Sequence, residues 1–175
     1  GKTTLCRMML GIWPPAAGHV YLDGMEAFRW DMEEAGKKIG YLPQELELFP
    51  ATVAENIARL GEVDMEKVKA AAELCGITEF LESLPNGFDT MLETEGGMKL
   101  SGGQKQILGM ARAIYGDPNI LVLDEPTSNL DEQTESLIMN ILAGLKQKQN
   151  TTCVMVTHKP ELLQSMDRVL VLKQG

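Results

Sequence analysis

A chain of 175 residues, 44% hydrophobic and 23% charged, is long enough to bury the core of one domain. Its net charge of −9 argues against a nucleic-acid partner, which calls for a basic face. No apolar run approaches the ~18 residues that a membrane-spanning helix needs. Cys6, Cys75 and Cys153 lie in apolar stretches without metal-like spacing and read as buried, reduced thiols of a cytosolic setting.

The chain opens directly on GKTT and reads as a piece of a larger polypeptide. Residues 2–10 have a helical pattern that stops at Gly11, ahead of Pro14-Pro15. GHVYLDG (18–24) alternates apolar and polar residues into an Asp-Gly turn, a short strand. KIGYLPQ (38–44) is a second strand, ending at Pro43-Gln44. Three helical stretches follow: TVAENIARLG, DMEKVKAAAELCG and ITEFLESLP. SGGQKQILGMARAIYG (101–116) carries Ile107, Met110, Ala111 and Ile114 at helical spacing.

After Asp117-Pro118 the texture changes. NILVLDE is an almost purely apolar run, the mark of a strand buried on both faces. A long helix from about Asp131 places Ile138, Ile141, Leu142 and Leu145 on one face. TTCVMVTH is a second buried strand, KPELLQSM a short helix and RVLVLKQ a third strand. Strands alternating with helices predict an α/β fold with a mostly parallel sheet. The division expected is an α/β core of residues 1–44 and 117–175, with a helical insertion at 45–116.

Three stretches carry chemistry. In GKTT, Lys2 offers a point charge for β- and γ-phosphate oxygens, Thr3 a hydroxyl for Mg2+, and the helix start its free N–H groups. An ordinary helix start is the competing reading. In NILVLDEP (119–126), Asp124 and Glu125 leave the C-terminal end of a buried strand, where ligands of parallel sheets collect. There Asp124 suits Mg2+, and Glu125 suits the water that attacks a γ-phosphate. A solvated acidic turn is the alternative. In LSGGQ (100–104), Ser101 and Gln104 stand in capping-box relation. Gly102 and Gly103 between them leave a helix tip that a phosphate can approach closely. A plain capped helix needs no such pair of glycines. Two phosphate-seeking helix starts in one small domain fit two copies facing head to tail.

With these residues in place the chain resembles the nucleotide-binding domain of an ABC transporter over essentially its whole length. GKTT resembles the end of the Walker A motif, LSGGQ the signature, and ILVLDE the Walker B strand with its glutamate. The resemblance implies a P-loop NTPase (RecA-like) core with a helical signature subdomain. Its N-terminal strand, part of its β-subdomain and the adenine contact would lie before Gly1. It implies ATP and Mg2+ as ligands. Nucleotide contacts fall to Gly1, Lys2, Thr3, Thr4, Gln44, Ser101, Gly102, Gly103, Gln104 and Asp131, and metal contacts to Thr3, Gln44 and Asp124. Glu125 and His158 are the implied catalytic residues. Gln44 in YLPQ is similar to the Q-loop glutamine, SNLD (128–131) to the D-loop, and His158 in VTH to the switch histidine.

A finer resemblance joins LGIWPPAAGHVYLDG, IGYLPQELELFPATVAENIARLG and LPNGFDTMLETEGGMKLSGGQ to the ATPase half of bacterial type I exporters of proteases and lipases. It implies a head-to-tail partner domain, a transmembrane domain of the same transporter touched by TEGG (94–97), a periplasmic adaptor and an outer-membrane channel. The expected location is the cytoplasmic side of a bacterial inner membrane. Other exporters or an importer subunit remain open on the residues.

Overall fold

The computed structural model describes residues 1–93, 95–128, 130–148, 150–164 and 166–173. Helix α1 (Lys2–Met9) opens the chain and ends before Gly11. β1 (Tyr21–Leu22) and β2 (Met25–Glu26) form an antiparallel hairpin. Its turn residues Asp23 (φ 49°) and Gly24 (φ 79°) are both left-handed, as a two-residue hairpin of matching twist requires. Helix α2 (Met32–Lys38) is absent from the sequence reading. Asp31 caps it by accepting from the N–H groups of Glu33 and Glu34. Acidic residues in its first turn and Lys37 and Lys38 in its last suit the helix dipole.

β3 (Ile39–Leu42) leads into a helical stretch: α3 (Val53–Ile57), α4 (Met65–Leu74), α5 (Thr78–Glu82) and α6 (Gly102–Ile114). Then come β4 (Ile120–Asp124), α7 (Glu132–Lys148), β5 (Thr152–Val156) and α8 (Pro160–Leu163). β3, β4 and β5 lie side by side in that order, all parallel. Leu42 is level with Leu123, and Asp124 with Val156, so the strands end together. Gln44, Glu125 and His158 therefore leave one edge of the sheet.

Strand alternation divides the core. Leu121 and Leu123 join the large cluster with Met110, Ile114 and Ile138 of α6 and α7. Val122 faces the other way, with Cys6, Leu10, Ala35 and Ile39. α6 meets β3 almost without side chains between them: a Cβ on Gly40 would stand 1.9 Å from the carbonyl oxygen of Ala113. Ile138, Ile141, Leu142 and Leu145 are buried, as their spacing predicts.

Two arginines tie the helical stretch to the sheet. Arg59 (φ 61°) donates to the carbonyl oxygens of Ile39, Arg112, Ala113 and Tyr115 at 2.9–3.1 Å, and to that of Gly36. Arg112 donates to the carbonyl oxygens of Glu47 and Asn56 and to Asn56 Oδ1, and lies over the Phe49 ring. Its partners are carbonyls and an amide rather than a carboxylate. Burial, then the neighbouring Arg59 charge, lower its pKa to about 10.

Three further expectations change. β5 is half-exposed rather than buried, and Cys153 on it is exposed. Residues 168–173 form no strand, and Gln174, the end of that expected strand, lies outside the described residues. A strand needs a hydrogen-bonded neighbour. Here β5 and Val169, Leu170 and Leu172 instead face a common cavity of about 370 Å3, with Cys6 at its wall. Among the described residues, no helix is long and apolar enough to cross a membrane.

Candidate active site

Glu125 stands directly after β4 with φ 51°, a left-handed conformation that costs a non-glycine residue strain. Its N–H donates to the carbonyl oxygen of Val156 at 2.9 Å, and its own carbonyl accepts from Ser128 N at 3.1 Å. The carboxylate is 18% exposed. Gln44 Nε2 donates to Oε2 at 3.5 Å, at the long limit of a hydrogen bond, and His158 Nδ1 lies 3.6 Å from Oε1. One residue from the end of each parallel strand thus meets on a single carboxylate. His158 is 65% exposed, so its ring is open to a ligand from the solvent side.

Asp124 presents the opposite picture. It is 0% exposed, and neither carboxylate oxygen has a hydrogen-bond partner. A buried carboxylate left so is costly unless a cation or donors arrive. Burial and then the Asp124 charge push the Cys6 thiol up to about 11; the same causes raise the Tyr41 phenol, while Arg7 beside it acts in the opposite sense. These neighbours place the orphaned oxygens between α1 and the end of β3. The set expected for Mg2+, namely Thr3, Gln44 and Asp124, offers oxygen donors alone, which suits a hard divalent cation. The unpartnered oxygens of Asp124 fit that ion.

At the start of α1, Gly1 is the N-cap and supplies no side-chain acceptor. Lys2 and Thr4 are exposed and Thr3 half-buried in a first turn that contains no acidic residue. Its free N–H groups are open to an anion. Lys2 also lines the cavity that Val156 and Thr157 share, next in the chain to His158.

The α6 tip is built by a full capping box. Gln104 N donates to Ser101 Oγ at 3.2 Å and Ser101 N to Gln104 Oε1 at 2.9 Å. Its two glycines differ. A Cβ on Gly102 would meet nothing within 4 Å, whereas one on Gly103 would stand 2.8 Å from Thr134 Oγ1. That hydroxyl is bonded to Asp131 Oδ2 at 3.0 Å, and Asp131 Oδ1 accepts from Thr134 N at 2.8 Å. These bonds hold the Asp131 carboxyl below its ordinary pKa. Asp131 therefore caps α7 and touches the α6 tip through Thr134. Asn129 of the SNLD stretch and Thr94 of TEGG lie outside the described residues.

The structure thus joins Gln44, Glu125 and His158, with Asp124 alongside, and separately joins Gly103 to Asp131. Among the described residues no hydrogen bond links the α6 tip to Lys2, Gln44, Glu125 or His158. Sequence reasoning gives no role to Gln106, which is buried and donates to the Pro126 carbonyl oxygen at 2.9 Å. Its spacing from Met110 and Ala113 already puts it on the inward face. Lys105 Nζ lies 2.6 Å from Glu93 Oε1, tying the loop ahead of the signature to α6.

A model of the ABC transporter family matches residues 1–128. The chain is 44% identical over its whole length to the type I secretion system ATP-binding protein PrsD of Rhizobium meliloti, covering 30% of that protein. It is 36% identical to the ATP-dependent lipid A-core flippase of Ralstonia nicotianae, again over all of this chain and 30% of the relative. A solved bacterial Atm1-family ABC exporter with ATP bound superposes with a TM-score of 0.85 at 33% identity, over the whole chain and 30% of its own. The chain spans about 30% of the length of these relatives. Its parallel sheet, helices and strand-end residues, together with these matches, show a P-loop α/β fold, and the chain belongs to the ABC transporter family.

Proposed function

We propose that the chain powers type I protein secretion across a bacterial inner membrane, working on the cytoplasmic side. One observation carries the catalytic part: Gln44 and His158 converge on Glu125 beside the orphaned Asp124. In this reading Gly1, Lys2, Thr3 and Thr4 hold the β- and γ-phosphates of ATP by charge and by N–H groups. Thr3, Gln44 and Asp124 hold Mg2+, which neutralises phosphate charge when bound. Glu125 takes the proton of the attacking water, Gln44 fixes the carboxylate from one side, and His158 contacts the γ-phosphate from the other.

Ser101, Gly102, Gly103 and Gln104 present their helix tip to the nucleotide of a second copy, and Asp131 lies at that same boundary. The partners are that second copy, head to tail, the transmembrane domain of the same transporter, a periplasmic adaptor and an outer-membrane channel. Residues 1–44 and 117–175 act as the nucleotide-holding body, and 45–116 as the body that carries the tip and answers the membrane part. Protein secretion is favoured by the match to PrsD, at 44% identity against 36% for the Ralstonia flippase. The flippase relatives support a second reading, lipid export, with the same ATPase chemistry.

In the complete protein, Glu125→Gln should keep Mg-ATP binding while lowering turnover by about 10²–10⁴-fold, the range of general-base catalysis. Turnover unchanged in that variant takes Glu125 out of its role. The same substitution in the host cell separates the two cargo readings. Secreted protein lost from the medium supports the first; lipid A-core retained in the inner membrane supports the second.

A further inference from the structure

Gln106 is a buried polar side chain on the signature-bearing helix, aimed at the turn that holds Glu125. Glu125 keeps a left-handed backbone, and such a conformation persists in a non-glycine residue when its surroundings over-determine it. The strand side supplies one restraint, the bond from Glu125 N to the Val156 carbonyl. The next residue, Pro126, has no N–H with which to anchor the turn. Its carbonyl is instead gripped from outside, by Gln106 Nε2 at 2.9 Å. From these contacts we infer that Gln106 is a positioning residue for Glu125: it holds the Pro126–Thr127 peptide, the second after Glu125, and through the rigid proline between them the direction of the carboxylate that Gln44 and His158 approach.

The same helix face reaches both ends of the turn. Gly103, one helical step earlier on that face, abuts Thr134, whose hydroxyl binds Asp131. The helix that carries the open Gly102 tip therefore also braces its own subunit's general base. A motion of α6 on meeting a ligand is passed to Glu125 through one amide. The inference rests on the proposed role of Glu125 and deepens it.

The test uses the complete protein with Mg-ATP. Gln106→Met keeps length and volume but removes the donor. It should lower kcat about tenfold, the worth of one buried hydrogen bond, with KM for ATP little changed and the thermal midpoint lowered by only a few degrees as the Pro126 carbonyl loses its partner. In a Glu125→Gln background, the same substitution should cost less than about twofold in single-turnover hydrolysis, because residues that act through one another are non-additive. A tenfold loss that persists in that background overturns the positioning role alone. So does an unchanged kcat in the wild-type background, or loss of the fold in both Gln106→Met and Gln106→Leu. Wild-type turnover in Glu125→Gln by itself removes the role of the carboxylate, and the positioning role with it.

Discussion

Adjacent glycines at the α6 tip answer to different constraints. Around Gly102 there is open space, so the fold does not require its lack of a side chain, and in the proposed reading that lack leaves room for a ligand. Gly103 is required by its own chain, since a Cβ there displaces Thr134 from Asp131. Gly102→Ala should therefore raise stability by up to about 1 kcal/mol, through the unfolded chain's lost freedom, while lowering ATP turnover. Gly103→Ala should lower both, with a stability loss of about 1 kcal/mol from overpacking. Thermal unfolding and a steady-state phosphate assay on the complete protein read the two quantities separately. Equal stability losses in the two variants would contradict the distinction. At this scale the sequence shows which residue types carry the chemistry, and it places Gln44, Asp124, Glu125 and His158 at strand ends. The Gln106 bond was not legible, because a glutamine on a mixed face gives no sign of which carbonyl it meets.

Among the elements, α6 is the piece on which the others converge. It lies on β3 at glycine distance, its tip is capped by Ser101 and Gln104, and its far end is held by Arg59. The carbonyls at a helix C-terminus lack intrahelical partners, and one guanidinium satisfies three of them here, on Arg112, Ala113 and Tyr115. Arg59→Met keeps the stem and strips these donors. It should destabilise the domain by about 3 kcal/mol, as several buried carbonyls lose their partner. Denaturant midpoints of the two proteins measure this, and a change within about 0.5 kcal/mol, the size of an ordinary surface substitution, would make the arginine dispensable.

Elements with strong local signals were legible in the sequence: the Asp-Gly turn, the capping box of α6, the apolar run of β4 and the stripe of α7. The misses have local causes. α2 is short and polar, and its evidence is the Asp31 cap with Glu34 three residues on, a signal easily taken for a charge run. Residues 168–173 have the composition of a strand, but strand formation is a property of pairs, and no single-chain pattern supplies the neighbour.

For the whole molecule, the parallel order β3-β4-β5 brings Gln44, Glu125 and His158 to one edge, while among the described residues the open α6 tip has no hydrogen bond to any of them. In the proposed reading a complete site takes the tip of another copy. That reading puts Lys2 of one copy and Ser101 of the other in each site, and this gives a direct measurement on differently tagged full-length copies purified as mixed pairs. In one pair, a Lys2→Ala copy meets a Ser101→Ala copy, so both lesions fall in the same site and the second site stays whole. In the other, a Lys2→Ala, Ser101→Ala double variant meets a wild-type copy, so each site carries one lesion. The account predicts that ATP turnover of the first pair exceeds that of the second, by about the factor that either single lesion costs; the reverse order would show that each tip serves its own subunit's nucleotide.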